Sequence, residues 1–209
     1  MKIPQLWALP TLALLINLTG CQFATLFLPD PHGRIKAEYK LPPKQRYAIF
    51  IDDYMAPIGS PEAKMTLAET IGNYLVDGKA LRHVDLVEPK KIYDQPTESP
   101  EGKKYSIQHI GAEVGADYVI YVNVIEFNLQ ADEENPLVQP KARAYVKLIE
   151  VSTGERLWPV DLAGFSIDVK ERMSGEMFAE ADKGEWSNKL SQKIAVEAAQ
   201  IFFEHSAGG

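Results

Sequence analysis

The 209-residue chain has only one cysteine and four histidines. A single cysteine excludes an intrachain disulfide and any site built from several thiolates, such as a structural zinc or iron–sulfur centre. The histidines, at positions 32, 83, 109 and 205, never occur at the short spacing typical of paired metal ligands. The sequence therefore predicts neither a metal site nor a cofactor.

Basic charge and catalytic motifs are also scarce. The chain has 22 lysines and arginines against 29 acidic residues, a net charge of −7, so we expect neither nucleic acid binding nor a general attraction to anionic lipid. There is no GxSxG, HExxH, Walker phosphate loop or GxGxxG after a strand. Because no set of residues can be assigned as nucleophile, base and orienting group, the sequence predicts a protein that is not an enzyme.

The longest apolar stretch, IPQLWALPTLALLINL at residues 3–18, follows a short positive start at the amino terminus. Crossing the hydrocarbon core of a bilayer takes about 20 apolar residues, and this stretch is shorter and contains two prolines. A positive start, a short apolar stretch and small residues after it are typical of a secretory signal. We therefore expect residues 1–20 to be a signal peptide.

The only cysteine, Cys21, directly follows Leu18, Thr19 and Gly20. This tetrapeptide resembles a bacterial lipobox, and the resemblance implies that Cys21 is acylated (with palmitate among the acyl groups) and becomes the first residue of the mature chain. Each buried acyl methylene contributes about 0.8 kcal/mol, so several chains anchor a protein stably. The alternative is a buried structural cysteine in an amino-terminal helix. Gln22 at the next position favours the outer membrane, facing the periplasm, over the inner membrane.

Residues 22–46 contain four prolines, which disfavour helices and central strands. We expect residues 21–46 to form the lipidated cysteine and a short tether, followed by a single domain at 47–209. The tether is about 20 residues long and keeps this domain near the membrane.

Hydrophobic periodicity predicts an α+β fold, with a mixed, mostly antiparallel sheet of four to five strands packed by two to three helices. The first half is expected to contain a strand at 47–54, a helix capped by Ser60 that stops at Asp77-Gly78, a strand at 83–89, a loop at 89–105, a helix from Ser106 to Gly115 and a central strand from Tyr118.

The second half is expected to begin with a strand at 141–151, whose inward-facing residues are Ala142, Ala144, Val146 and Leu148. A strand over 156–173 follows, with a shift in apolar parity at a bulge near Gly164. The last element is a helix over 185–205, with one apolar face formed by Trp186, Leu190, Ile194, Ala198, Ile201 and Phe202.

Two segments, IGAEVGADYVIYVNVIEF (110–127) and ARAYVKLIEVSTGERLW (142–158), resemble the periplasmic lipoprotein domains related to CsgG, LpoB and the TolB amino-terminal domain. The segment AEYKLPPKQRYAIFIDDY, which leads into the first predicted strand, also resembles the corresponding segment of planctomycete lipoproteins. The resemblance covers residues 47–205 in layout and implies an envelope protein that pairs through strands and helix faces. The sequence has no pair of long segments with alternating apolar residues that would correspond to the membrane-crossing strands of CsgG-type channels, which argues against a pore. The tether is also shorter than in LpoB-type activators, which argues against activation of a synthase.

Asp52 and Asp53 end the first strand, a place where α/β enzymes often position carboxylates. They are therefore the candidate ligand-site residues, and the alternative is that they cap or solvate the strand end. His109 is expected at or near the surface, and a solvated loop contains Glu133 and Glu134. Trp186 is expected to pack in the core.

The sequence thus favours a noncatalytic envelope lipoprotein that binds an unknown envelope protein or a second copy of itself. The first alternative is a small-ligand-binding or enzymatic domain with its site near Asp52, Asp53 and the 89–105 loop. The second is a subunit of a secretion or envelope complex.

Overall fold

The computed structural model describes residues 33–56, 58–129, 137–138, 140–171, 173–174 and 183–207. The predicted signal peptide, the predicted lipobox residues Leu18, Thr19 and Gly20, and Cys21 lie outside these residues, as do Glu133 and Glu134. No helix in the described part of the chain is both long and apolar enough to cross a membrane.

The strands and helices follow one another in a mixed α/β order. In chain order they are β1 Arg34–Ile35, β2 Tyr47–Asp52, α1 Pro61–Asp77, α2 Pro89–Tyr93, α3 Ile107–Glu113, β3 Tyr118–Asn128, β4 Leu137–Val138, β5 Lys141–Glu150, β6 Arg156–Trp158, β7 Phe165–Lys170, β8 Met173–Ser174, α4 Lys183–Gln200 and β9 His205–Ser206.

Five strands form the main sheet, in the order β2–β3–β5, with β6 and β7 both paired to the far side of β5. β2 and β3 are parallel, with Asp52 opposite Asn123, and the pairs made by β5 are antiparallel. A bulge interrupts β3 between Val124 and Glu126. This mixed, mostly antiparallel sheet with its helices confirms the predicted α+β class.

One face of the sheet carries the larger hydrophobic core. The alternation predicted for β5 is confirmed, since Ala142, Ala144, Val146 and Leu148 are all essentially inaccessible to solvent. Helices α1 and α4 pack on this face through residues at helical spacing. Their buried members are Leu67, Ala68, Ile71 and Leu75 on α1, and Leu190, Ile194, Ala195, Ala198 and Ala199 on α4.

The opposite face is covered only at one end, where a smaller core includes Phe50, Ile92, Ile110 and Val119. The short helices α2 and α3 cover it. As predicted, Ser106 caps α3 by accepting a hydrogen bond from the His109 amide (3.1 Å).

The outer edge of β2 is closed by the segment that follows α1. Leu86 bridges to Tyr47, the Val87 N–H donates to the Tyr47 carbonyl (2.8 Å), and the Ile51 N–H donates to the Tyr93 hydroxyl (2.9 Å). Backbone groups that an edge strand would leave exposed are therefore satisfied here.

The strand predicted at 83–89 is absent. Residues His83–Asp85 form a 3-10 turn instead, held by Asp85, whose carboxylate accepts from the Arg82 backbone N–H (3.0 Å) and guanidinium (2.6 Å). This local hydrogen bonding competes with an extended backbone. The predicted loop at 89–105 likewise begins with the one-and-a-half-turn helix α2.

The strand predicted over 156–173 is also wrong in its middle part. The chain leaves the sheet after Trp158 and returns at Phe165, so the shift in apolar parity reflects a loop of six residues, whereas a one-residue bulge was expected. Gly164 ends the loop with a φ of 110°. A Cβ there would lie 3.1 Å from the Val146 carbonyl oxygen, which favours glycine.

The chain divides into two compact units. Residues 36–204 form the first and contain the five-stranded sheet and both cores. In this unit Tyr39 and Leu41 pack against the larger core, and the Glu38 N–H donates to the Ile201 carbonyl (2.8 Å). In the second unit, β1 and β9 pair antiparallel.

Candidate functional site

The candidate carboxylate Asp52 lies at the end of β2, on the face of the smaller core. Its Oδ2 accepts a hydrogen bond from the Tyr121 hydroxyl (2.8 Å) on the adjacent β3. Its Oδ1 accepts from the Tyr54 backbone N–H (3.1 Å). Both oxygens of this carboxylate therefore have partners within the protein.

Asp53 is buried, with 9% of its surface exposed. Its Oδ1 is 3.1 Å from the Lys64 ammonium on α1, and its Oδ2 accepts from the Ile58 N–H (3.2 Å). The pair of charges and the backbone contact fix the connection between β2 and α1. Both oxygens of Asp53 therefore have partners within the protein, and these contacts stabilise the fold.

A cleft of about 200 Å³ opens beside these two carboxylates. Its far wall is the loop after α2, where the Tyr105 N–H donates to the Thr97 carbonyl (2.9 Å). The Lys104 ammonium lies 3.6 Å from the centre of the exposed Tyr54 ring. The structure thus brings Asp52 and Asp53 together with part of the 89–105 loop.

Other residues considered from the sequence lie elsewhere. His109 is exposed on α3 and stacks on Tyr105, with ring centres 4.2 Å apart, as expected of a surface histidine. Trp186 is half-buried at the start of α4, with the Lys189 ammonium over its ring. Among the described residues, no group of three or more histidine, cysteine or acidic side chains could hold a metal ion.

Sensitivity to alkali is expected from three tyrosines: the buried Tyr47 on β2 and the half-buried Tyr93 and Tyr121 next to this strand. Burial raises the pKa of Tyr47, Tyr93 and Tyr121, and for Tyr121 the hydrogen bond to Asp52 raises it further. In the unfolded chain these phenols ionise near pH 10. Stability is therefore fully present below about pH 10 and is lost as the pH rises above it, because only the unfolded state releases these protons.

We expect an ultraviolet titration of phenolate to show two phases. The later phase belongs to Tyr47, Tyr93 and Tyr121, which ionise only together with loss of the circular dichroism of the fold. Tyr121→Phe removes one phenol from the second phase and leaves the first unchanged. A single phase near pH 10 in a folded protein would contradict this.

A second candidate surface is the loop at residues 159–164 between β6 and β7, here called the edge loop. Val160 and Leu162 are 97% and 79% exposed, and the neighbouring Leu157 is 38% exposed. The loop lies at the open edge of the sheet, where no further strand pairs with β6 or β7 in the described part of the chain. Three exposed apolar side chains within six residues of one sheet edge make this loop a candidate docking surface.

The edge loop is held in one conformation by its own polar contacts. The Arg156 guanidinium on β6 donates to the Val160 carbonyl (3.1 Å) and the Leu162 carbonyl (3.3 Å). The Asp161 carboxylate accepts from the Ala163 N–H (2.8 Å). The apolar side chains are therefore presented to solvent by a fixed backbone.

Trp158 supports the loop from below. Its ring packs against Phe165, Phe202 and Tyr39, at centroid distances of 5.2, 5.8 and 6.0 Å. Trp158 therefore lies at the edge of the larger core.

Sequence reasoning missed both the partners of the carboxylates and the edge loop. Tyr121 reaches Asp52 only because β2 and β3 pair in parallel with Phe50 opposite Tyr121, a register that no local pattern specifies. The edge loop could have been predicted from the sequence, because Pro159 has no N–H to donate to a neighbouring strand and so disfavours a strand through 158–162.

The fold and these surfaces define an α+β domain with a sheet open at one edge and no assembled catalytic group in the part described. No protein-family model matches the chain, and no curated protein matches it. Solved structures do.

The chain is similar to PelC from Paraburkholderia phytofirmans, a structure described as a dodecamer, at 14% identity and a TM-score of 0.44 over 82% of this chain and 97% of that one. It is also similar to lipoprotein GNA1162 from Neisseria meningitidis (12% identity, TM-score 0.39, 74% and 96% covered). A third similar structure is uncharacterized lipoprotein B from Nitrosomonas europaea, at 15% identity and a TM-score of 0.34 over 78% of this chain and 88% of that one. Several structural neighbours are thus bacterial lipoproteins.

Proposed function

We propose that this protein is a lipid-anchored envelope protein without catalytic activity, whose domain docks a protein through the edge loop. The partner is either a second copy of the chain or another envelope protein. The anchor is Cys21, because the Leu-Thr-Gly-Cys sequence follows a secretory signal. The outer membrane, facing the periplasm, is the proposed location.

The observation that carries the docking role is the exposure of Val160 and Leu162 on an ordered loop. Burying an apolar side chain of this size on a partner contributes about 1.5–3 kcal/mol. In the described part of the chain β7 pairs only with β5, so its other edge can offer backbone groups to the same partner. Apolar and backbone contacts together suit a protein partner.

Photo-crosslinking in intact cells tests this role. A benzoylphenylalanine side chain placed at position 160 should give discrete crosslinked species on ultraviolet irradiation, and mass spectrometry of these species identifies the partner. The matched control is the same side chain at Glu113, an exposed position on α3, a helix that packs on β3 and β5. Position 113 should give no such species.

The two outcomes are distinct. Adducts specific to position 160 support the docking role, and an adduct of twice the protomer mass assigns it to self-association. Equal or absent crosslinking at positions 160 and 113 would overturn the proposal. Ring-shaped particles of the detergent-extracted protein would instead favour a secretion-complex subunit.

The ligand-binding alternative depends on the cleft beside Asp52 and Asp53. At about 200 Å³, this cleft is smaller than the roughly 300–1,000 Å³ of pockets that enclose drug-sized ligands. The partners of the two carboxylates, Tyr121 and Lys64, already satisfy the groups that would recognise a ligand. The docking role is therefore the better supported of the two.

A further inference from the structure

Basic residues are concentrated where the chain enters the folded unit. The segment 33–46, GRIKAEYKLPPKQR, contains five basic residues and one acidic residue, which is a net charge of +4 in a chain whose total is −7. Such segregation places a positive region on a protein that is otherwise acidic. A positive region close to a membrane anchor is attracted by anionic lipid over about one Debye length.

Two lysines of this segment meet a third from α1 around one groove, here called the lysine groove. It has a volume of about 560 Å³, and Lys36, Lys40 and Lys79 lie around it with Leu41 and Phe203 among its apolar residues. All three lysines are exposed. Lys79 follows the end of α1 with a φ of 59°, a conformation that directs the chain away from the helix axis.

Several basic residues elsewhere in the described part of the chain form ion pairs, and the three groove lysines do not. Lys64, Lys141 and Lys193 are each paired with a carboxylate, and Arg143 is paired with Asp168. Lys36, Lys40 and Lys79 take part in no ion pair within the described residues, and Glu204 is the one acidic residue that lines the groove.

We propose that the lysine groove docks the domain on an anionic lipid surface. Ammonium groups bind the phosphates of lipid headgroups, and the apolar floor formed by Leu41 and Phe203 accommodates the glycerol and upper acyl carbons. The groove can reach such a surface because Lys36 is 15 residues after Cys21, a chain that spans at most about 50 Å. This reach depends on the proposed anchor, whereas the attraction between the groove and lipid does not.

The test uses the mature chain, residues 21–209, with Cys21→Ser, which keeps every residue of both cores but has no acyl group. In co-sedimentation it should bind vesicles that contain phosphatidylglycerol and should not bind vesicles of phosphatidylcholine alone. Binding should weaken as salt is added. Each lysine near the surface contributes about 1 kcal/mol, so the triple variant Lys36→Gln, Lys40→Gln and Lys79→Gln should lose about a hundredfold in partitioning.

The matched control replaces Lys103, Lys104 and Lys189 by glutamine, which changes the net charge equally at exposed positions that do not line the groove. It should bind vesicles as the parent does. Circular dichroism should be the same for both variants. Since no acyl group is present, the result is independent of whether Cys21 is lipidated in cells.

Three results would overturn the proposal. One is absence of binding to anionic vesicles by the parent chain. Another is an equal loss of binding in the groove variant and the control, which would show a dependence on net charge alone. The third is full competition by soluble glycerol phosphate, which would make the groove a site for a small anion and not a docking surface.

Discussion

Cells that carry Cys21→Ser should contain no lipidated mature protein. Without the thiol no diacylglyceryl group can be attached, and by the lipobox resemblance the cleavage before position 21 fails as well. Acyl chains contribute about 0.8 kcal/mol for each buried methylene, so this change removes the largest single contribution to membrane binding. Mass spectrometry should find a precursor that retains residues 1–20.

The matched control for this experiment is Gln22→Ala, which keeps the thiol and the residues before it. It should be processed and acylated like the parent protein. Mature parent protein with an unmodified Cys21 thiol and residues 1–20 still attached would show that the proposed location is wrong.

Leu148→Ala should cause the largest loss of folding stability among conservative changes in β5. Leu148 is completely buried and lies opposite Ile120 on one side and Trp158 on the other. Truncation of a buried leucine leaves a cavity and costs about 2–5 kcal/mol, a large fraction of the stability of a domain this size. Urea unfolding followed by circular dichroism measures the change.

Arg143→Ala, on the same strand, is the control for the leucine substitution. The Arg143 side chain is partly exposed and pairs with Asp168 at 2.7 Å on the solvated face. Pairs of this kind contribute little to stability, so the urea midpoint should move far less than with Leu148→Ala. Similar shifts for both variants would contradict the assignment of the two faces.

Elements whose signal is local were predicted well. Ser106 caps α3 because a serine side chain can accept from an amide three residues on, and Gly115 ends that region with a φ of 66°. The alternation along β5 likewise identified a strand with one inward face, and the apolar run along β3 identified a central strand. These features depend on a few adjacent residues.

Elements decided by distant contacts were not predictable in the same way. The 83–89 segment has the composition of a strand, but Arg82 and Asp85 form a paired cap that holds a tight turn. The alternation of Trp158, Val160 and Leu162 imitates a strand, although only Trp158 packs inward. Position in the fold, and not the pattern, decides which apolar residues are buried.

The same distinction applies to the candidate site. The position of Asp52 and Asp53 at a strand end was readable from the sequence. Their roles were not, because Tyr121 and Lys64 reach them only through the parallel register of β2 and the packing of α1. The proposed anchor at Cys21 stays a prediction that the described residues do not test.

The unequal edges of the sheet limit how copies of this domain can associate. The edge at β2 is blocked by Leu86, Val87 and Tyr93, so among the described strands only those at the β6 and β7 edge can accept another strand. Two copies that pair through this edge use the same surface on each protomer, and a two-fold axis then closes the assembly at a dimer. Strand pairing alone therefore cannot extend it into a fibre, and an exposed edge is available without the hazard of open-ended aggregation.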